Sequence, residues 1–273
     1  DLTSEFTSTS ALGVNYSYTQ SSNLRMFLRF GATVTNLATF PSNDTITIAY
    51  EAPGSLVQKT DTAGSRNIST FFADTTINKN SEALVTFSGA NSPEDNITTF
   101  GDGTSDSPFS LSLWVKYEST PPTGDRILVE KGRNNGSVDQ EYRLLYSDSA
   151  NKLTVNLFDD SSFGQVTKKW SSVDLNDNAW HHIVLTYDGN QANPHLGTSL
   201  TIYLDGADIE SNVGSSASDR AKVGYTAMEP ASDELHIGAS STHQSEASAF
   251  LAEFAIWGAE LSSNNVKAIY HAQ

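Results

Sequence analysis

The stretch NAWHHIVLTYDG, residues 178 to 189, decides how this sequence is interpreted. It runs from a tryptophan through two adjacent histidines and an aliphatic segment to an Asp-Gly turn. Successive side chains of a strand point to opposite faces of its sheet. His181 and His182 therefore point in opposite directions and cannot bind one metal ion together. The pattern favours a structural role for both, in a central strand covered on both faces, with a buried ring bonded to a carbonyl or hydroxyl group.

The same alternation divides the neighbours of the histidines between two faces of the predicted strand. One face carries His181, Ile183, Leu185 and Tyr187, and the other carries Trp180, His182, Val184 and Thr186. No residue close in sequence is an evident hydrogen-bond partner that would make either histidine a catalytic base. We therefore expect both rings to lie among apolar neighbours.

The composition describes an acidic chain without cysteine. The 273 residues include 32 Asp and Glu, 16 Lys and Arg and no Cys, and the formal net charge is -16. The lack of cysteine excludes disulfides, thiolate metal sites and cysteine nucleophiles. The negative charge disfavours nucleic acid as a partner and offers carboxylates to hard cations such as Ca²⁺.

No apolar run approaches the ~20 residues that span a bilayer, so we expect no membrane insertion. The chain begins DLTSEFTSTS, without Met or a signal-like apolar segment, and we expect a processed or trimmed form. Its many Ser, Thr, Asn and Gly residues are typical of an exterior β-protein, which predicts an extracellular or particle-surface location, on a cell or a virion.

Short alternating or apolar runs between turn signals predict an all-β fold. These runs are TITIAY (45–50), FSLSLWVKY (109–117), RILVEKG (126–132), KLTVNLF (152–158), HHIVLTY (181–187) and SLTIYLDG (199–206). The segment YSDSANK (146–152) predicts a hairpin. The spacing is that of a two-sheet antiparallel β-sandwich or jelly roll.

One helix is predicted, close to the last residues of the sequence. Ser262 or Ser263 caps NNVKAIYHA, and Val266, Ile269 and Tyr270 share one face. Residues 1–22 are rich in Ser and Thr and predict an arm or tether. With no composition break after them, residues 23–273 are expected to form a single domain.

The ordered motifs resemble the laminin-G-like, concanavalin A-like jelly-roll family. They are ALVTFSG (83–89), FSLSLWVK (109–116), ILVEKG (127–132), NAWHHIVLTYDG, LTIYLDGADI (200–209), LHIGAS (235–240) and FLAEFAIWGAELSSNNVKAIY (250–270). The resemblance is strongest over 83–273, and 24–80 would supply edge strands. It implies that Trp114, Trp180 and Trp257 are core residues and that His236 is structural.

Two departures from the family pattern concern its last strand. Ala249 stands where the family has Gly, and Ala252-Glu253 stands where it has Asp-Glu, which weakens any calcium role inherited from that Asp. The fold hosts lectins, adhesion modules, lyases, glucanases and virion proteins, so it does not identify a ligand.

Enzymatic activity is not expected. No strand carries the closely spaced pair of carboxylates that glycosidases of this superfamily use. The Arg/Glu, Gln-x-His and Tyr/Lys strands of alginate-lyase-type relatives are not readable either. A Gly-x-Ser-x-Gly elbow is also missing.

The segment EDNITTFGDGTSDS (94–107) is the richest in oxygen ligands. Asp102, Thr104 and Asp106 have the spacing of the first calcium-loop ligands, but the later Gly and Glu are missing, which excludes an EF-hand. Two interpretations stay open: a solvated acidic turn, and a looser calcium site in which Asp95, Asp102 or Asp106 is joined by carbonyl groups or by Glu253. No cofactor is required.

Sugar recognition calls for an aromatic platform beside amides and carboxylates. The candidates are Phe163 in the acidic loop DDSSFGQ (159–165), its neighbours Asp159 and Asp160, Trp170 at a strand edge, and Tyr225 in another loop. Ordinary packing is the alternative for each aromatic residue.

Two functions follow from these expectations. The first is a non-catalytic exterior recognition or adhesion module, a lectin-like domain that binds glycan or a surface partner. The second is a structural virion protein, such as a capsid decoration or fibre component of a phage, that forms homo-oligomers through its N-terminal arm and contacts other subunits of the particle. A polysaccharide lyase or hydrolase is a distant third.

Overall fold

The computed structural model describes residues 24–28, 44–52, 55–62, 82–89, 98–117, 124–134, 138–147, 150–231, 235–238, 240, 247 and 249–272. Before residue 98 it describes the backbone alone. The predicted arm at 1–22 lies outside these ranges, so both the arm and the single domain at 23–273 stay predictions.

Fifteen strands, one α-helix and a short 3-10 helix at Glu210–Asn212 form the regular structure of the described residues. The strands and the α-helix are β1 Leu24–Leu28, β2 Asp44–Ala52, β3 Ser55–Thr62, β4 Glu82–Gly89, β5 Phe109–Lys116, β6 Asp125–Asn134, β7 Val138–Ser147, β8 Lys152–Asp159, β9 Gly164–Trp170, β10 His181–Tyr187, β11 Leu200–Leu204, β12 Ala207–Asp208, β13 Arg220–Val223, β14 Leu235–Ile237, β15 Phe250–Trp257 and α1 Ser263–Ala272. Every strand pairing is antiparallel, which confirms the all-β sandwich.

The strands form two sheets. The six-stranded sheet has the order β1-β15-β5-β10-β11-β12, and the nine-stranded sheet has the order β13-β9-β8-β7-β6-β14-β4-β2-β3. The main core lies between the sheets, because it joins Phe109 and Leu111 of β5 with Val155 and Leu157 of β8. Each of these strands sends alternate apolar side chains inward.

A second apolar cluster lies on the opposite face of the six-stranded sheet, under α1. Val184 of β10 and Trp257 of β15 meet Val266 and Ile269 of the helix there. Ser262 caps this helix: its hydroxyl accepts a hydrogen bond from the Asn265 amide at 3.3 Å. The six-stranded sheet is therefore covered on both faces, as predicted for β10.

The structure confirms the predicted structural role of His182. Its ring is completely buried, lies 5.0 Å from the Trp114 ring, and is joined to the Ser112 hydroxyl at 2.7 Å through Nε2. Burial lowers the pKa of His182 to about 3, so the ring is neutral. A neutral ring explains how a histidine sits under the helix without a counter-charge.

The expectation for His181 was wrong in one respect. This residue begins β10 at one end of the sandwich, where its Nδ1 lies 2.9 Å from Asp205 and its Nε2 3.1 Å from Asp177. The Asp205 carboxylate, with help from Asp177, raises the pKa of His181. Carboxylate partners rather than apolar neighbours surround the ring, because the first residue of a strand lies at the rim of the core.

Trp180 also departs from the prediction. Trp114 and Trp257 are buried, but Trp180 lies before β10 and stays half-buried, outside both apolar clusters. Its strand-like alternation is broken because β10 begins one residue later.

Candidate functional site

A groove crosses the face of the nine-stranded sheet that points away from the main core. Its volume is about 360 Å³, which lies within the ~300–1,000 Å³ range of small-ligand sites. Consecutive strands β6 to β9 form it. The lining residues are Asp125, Arg143, Leu145, Ser147, Ala150, Lys152, Thr154, Asn156, Gln165, Thr167 and Lys169.

The alternation of the strands explains why the groove is polar. In β8, Leu153, Val155 and Leu157 belong to the core, so Thr154 and Asn156 between them face the groove. The same rule applies in β7 and β9. One face of these strands thus builds the core while the other supplies hydroxyl, amide and charged groups.

A row of polar residues runs across five adjacent strands along this face. The Cα pairings are Thr167 with Asn156, Asn156 with Arg143, Arg143 with Glu130, and Glu130 with His236. Apart from Arg143, every member of the row is at least nine-tenths buried. Such burial is unusual for a face directed away from the core, where an antiparallel sheet commonly meets water.

Hydrogen bonds link part of this row into one network. An Arg143 Nη2 donates to the Asn156 side-chain oxygen at 3.1 Å, and the Asn156 amide donates to the Thr167 hydroxyl at 3.0 Å. The Gln165 amide donates to the same hydroxyl at 2.6 Å. The network fixes the orientation of these side chains before any ligand binds, which reduces the entropy lost on binding.

Ion pairs flank the network. Arg143 lies 3.8 Å from Glu130, and burial lowers the pKa of its guanidinium, an effect that Glu130 and Asp125 oppose. At the other end of the groove, Lys152 donates to Asp219 at 3.3 Å. One cation, Arg143, therefore belongs to the polar row, and another, Lys152, stands beside it in the groove.

The hairpin between β8 and β9 carries three of the sequence-predicted ligand residues. Phe163 is 80% exposed at the tip of the hairpin. Its φ of 53° is a left-handed conformation, which is energetically unfavourable for a residue that carries a side chain. Asp159 is buried and accepts hydrogen bonds from the Ser162 and Thr226 amides. These bonds hold the hairpin rigidly and leave the phenyl ring in solvent.

Asp160 lies beneath the tip of this hairpin. Its carboxylate accepts a hydrogen bond from the Gln140 amide at 2.6 Å. Burial raises the pKa of Asp160 to about 6, and the nearby carboxylates of Asp139, Glu229 and Asp159 contribute to the shift. Asp159 and Asp160 thus lie in the same hairpin as Phe163, but both carboxylates bond backbone amides, and a ligand-binding role for the three residues stays a prediction.

The structure does not leave Trp170 and Tyr225 available as sugar platforms. Trp170 is completely buried in the main core, with the Lys168 ammonium 5.1 Å from its ring. Tyr225 is 4% exposed and donates its hydroxyl to Asp106. Both predictions are corrected. Trp170 belongs to β9, which is not the edge of its sheet because β13 pairs with it. The loop of Tyr225 folds inward rather than into solvent.

The predicted calcium loop is closed by the protein's own donors. Asp102 accepts hydrogen bonds from the amides of Thr104 and Ser105 and from both hydroxyls, and these bonds lower its pKa. Asp106 accepts from the Tyr187 and Tyr225 hydroxyls and from the Met228 amide, while burial raises its pKa. Neither carboxylate faces a shared cation position.

The other calcium candidates do not complete a site. Asp95 lies outside the described residues. Glu253 is 5% exposed, with a φ of 49° at the irregularity of β15. Within the ranges given above, no group of three or more His, Asp or Glu side chains could hold a metal ion.

Sequence reasoning missed the groove. His236 was assigned a structural role, and no polar face was predicted for β8 and β9. The row itself depends on which strands are neighbours, and two register shifts between β6 and β7 alter the faces of their residues. No sequence signal specifies these shifts.

Comparisons with known proteins agree on the fold. Residues 87–267 match the family model described as the concanavalin A-like lectin/glucanases superfamily. Among curated proteins, no sequence matches the chain. In the described residues, no helix is long and apolar enough to cross a membrane.

Three solved structures are similar over most of the chain. The binding domain of botulinum neurotoxin serotype D has 10% identity and a TM-score of 0.54 over 93% of this chain and 52% of that chain. The binding domain of Paraclostridial Mosquitocidal Protein 1 has 13% identity and a TM-score of 0.53, with 92% and 52% covered. The receptor-binding domain of the mosaic serotype C/D has 12% identity and a TM-score of 0.56, with 93% and 51% covered.

This chain therefore spans about half the length of those binding domains. At such identities the likeness shows the fold alone.

Proposed function

Because the chain belongs to the concanavalin A-like lectin/glucanase superfamily, with residues 87–267 matched, we propose that it is a non-catalytic recognition module whose groove binds a glycan. The observation that carries the proposal is the linked polar row on the floor of the groove. Hydroxyl, amide and guanidinium groups at fixed positions are the groups that recognise sugar hydroxyls. The fold of toxin binding domains agrees with a binding role.

The carboxylates in and beside the groove support recognition rather than hydrolysis. Asp125 is the one acid among the described lining residues, and Glu130 of the polar row lies five residues further along β6, which corresponds to roughly 16 Å along a strand. Retaining and inverting glycosidases need carboxylates about 5 Å or about 6.5–9.5 Å apart. Glu130 is also paired with Arg143. A reducing-end assay and an assay for unsaturated products are expected to detect no turnover of any bound glycan, and product formation would contradict a non-catalytic role.

An extracellular or particle-surface location belongs to the same proposal, since the binding partner is a surface glycan. Phe163 offers a second, smaller contact at the loop end of the sandwich. The roles as a phage capsid decoration or fibre component, and as an oligomer joined by the arm, stay predictions.

A glycan microarray with groove-blocking and control variants tests the proposal. Thr154 lies on the floor of the groove, so Thr154→Trp fills it. Thr198 is an exposed threonine in the loop before β11, so Thr198→Trp adds the same bulk elsewhere. We expect the wild type and Thr198→Trp to bind the same glycans and Thr154→Trp to lose them.

Two results would overturn the proposal: a wild-type protein that binds no glycan, or a Thr154→Trp variant that binds as well as Thr198→Trp. Circular dichroism and thermal melting establish that both variants are folded.

A further inference from the structure

The groove has a charge balance opposite to that of the whole chain. Its lining includes three cations, Arg143, Lys152 and Lys169, and one acid, Asp125. The whole sequence has 32 acids and 16 Lys and Arg. Among the lining residues themselves, cations therefore outnumber acids, the reverse of the balance in the whole chain.

Two of these cations have partners within the protein, and the third does not. Arg143 lies beside Glu130, and Lys152 donates to Asp219. Lys169 is close enough to Asp219 to lower the pKa of that carboxyl, but its ammonium makes no ion pair or hydrogen bond with any described residue. The position of Lys169 is fixed by β9, where its Cα pairs with Thr154 at the groove floor.

Hydroxyl donors accompany this free ammonium. The Thr167 hydroxyl accepts from Asn156 and from Gln165, so its own proton is left for another acceptor. The side chain of Thr154 is 7% exposed, lines the groove, and makes no hydrogen bond to the described part of the chain. Lys169, Thr154 and Thr167 thus present donors to one space.

We infer that the glycan bound in this groove is anionic, with a carboxylate or sulfate group that pairs with Lys169 and accepts from Thr154 or Thr167. The inference rests on the proposed function and specifies its ligand class. A neutral sugar would offer the Lys169 ammonium no charged acceptor in direct contact. Hydrogen bonds to charged acceptors are shorter and roughly twice as strong as neutral ones, so an anionic substituent gains more from these donors.

The test uses an array that carries neutral, carboxylated and sulfated glycans. Oligogalacturonate represents the carboxylated class and its methyl ester is the uncharged match; galactans represent the sulfated class. We expect acidic glycans to bind and their uncharged matches to bind at least tenfold more weakly. The carboxylated and sulfated members distinguish the two sources of charge. Isothermal titration calorimetry of the strongest acidic ligand should show a lower affinity at higher salt.

Substitutions test whether Lys169 is the residue that pairs with the charged group of the glycan. Lys169→Gln is expected to lower the affinity for the acidic ligand about tenfold, while Lys169→Arg keeps most of it, because a guanidinium also pairs with an anion. Lys267 is an exposed lysine of α1, on the other sheet, so Lys267→Gln controls for the change in net charge and should bind as the wild type does.

The outcomes separate the two proposals. Binding of neutral glycans only, or an affinity for acidic glycans that Lys169→Gln leaves unchanged, overturns the anionic ligand and leaves the recognition module in place. Binding of no glycan overturns both.

Discussion

The half-buried carboxylate of Asp106 is expected to be a main support of the loop end of the sandwich. It accepts hydrogen bonds from the Tyr187 hydroxyl at 2.6 Å, from the Tyr225 hydroxyl, and from the Met228 amide at 2.7 Å. These donors come from β10 and from the loop after β13, so one side chain joins three segments that are distant in sequence.

The size of the effect follows from those three donors. Asp106→Ala leaves two tyrosine hydroxyls and one amide without their acceptor, and each unsatisfied buried donor costs ~1–3 kcal/mol. The carboxylate itself is costly to bury, as its raised pKa indicates, and this cost disappears with it. We therefore expect the free energy of unfolding to fall by about 3–5 kcal/mol, which is the lower part of the ~3–9 kcal/mol that three unsatisfied donors would cost.

Urea denaturation followed by tryptophan fluorescence measures this loss. Asp102→Ala is the matched control, because Asp102 lies in the same loop but is exposed and bonds only Thr104 and Ser105. Asp106→Asn keeps one acceptor oxygen and should lose less than the alanine variant. An Asp106→Ala variant within 1 kcal/mol of the wild type, or no less stable than Asp102→Ala, would refute the reasoning.

Three further predictions use the same denaturation assay. Burial raises the pKa of Asp160 from 3.8 to about 6. As the pH rises from about 4 to 6, the unfolded chain loses the Asp160 proton before the folded chain does, so the free energy of unfolding should fall. An equal fall in Asp160→Asn would show that other groups cause it. Phe163 is strained and exposed, so Phe163→Asn should raise stability by up to ~1 kcal/mol, and a lower stability would mean that the ring packs against the protein. The buried Lys168 ammonium donates to the Gly197 and Leu200 carbonyls and to Glu210. Lys168→Met should cost ~1–3 kcal/mol for each of the two carbonyls that it leaves without a donor, and a total loss below ~1 kcal/mol would contradict this role.

The fold could be predicted because its signals are local. The alternation in 181–187 gives the two faces of β10, and the serine before α1 gives its cap; both depend on residues a few positions apart. His182 was placed correctly for this reason. His181 was not, since its partner Asp205 follows a neighbouring strand.

The candidate site could be predicted only in part because it depends on distant pairings. Phe163 and Asp160 were predicted as ligand residues from a short acidic hairpin; they lie outside the groove, and their role stays a prediction. Tyr225 was taken as exposed, but its hydroxyl meets Asp106, 119 residues earlier in the chain. The groove needs the register of four strands, which includes shifts that sequence periodicity does not encode.

The pairing of β1 with β15 has a consequence for the order in which the sandwich assembles. Leu24 lies opposite Trp257, whereas the strands from β6 to β9 pair with their immediate successors. Closing so long a loop is entropically costly, and contacts of this kind slow folding. During synthesis on the ribosome, the groove-bearing hairpins can form early. The six-stranded sheet cannot be completed until β15 has been synthesised, so β1 emerges from the ribosome long before its partner strand.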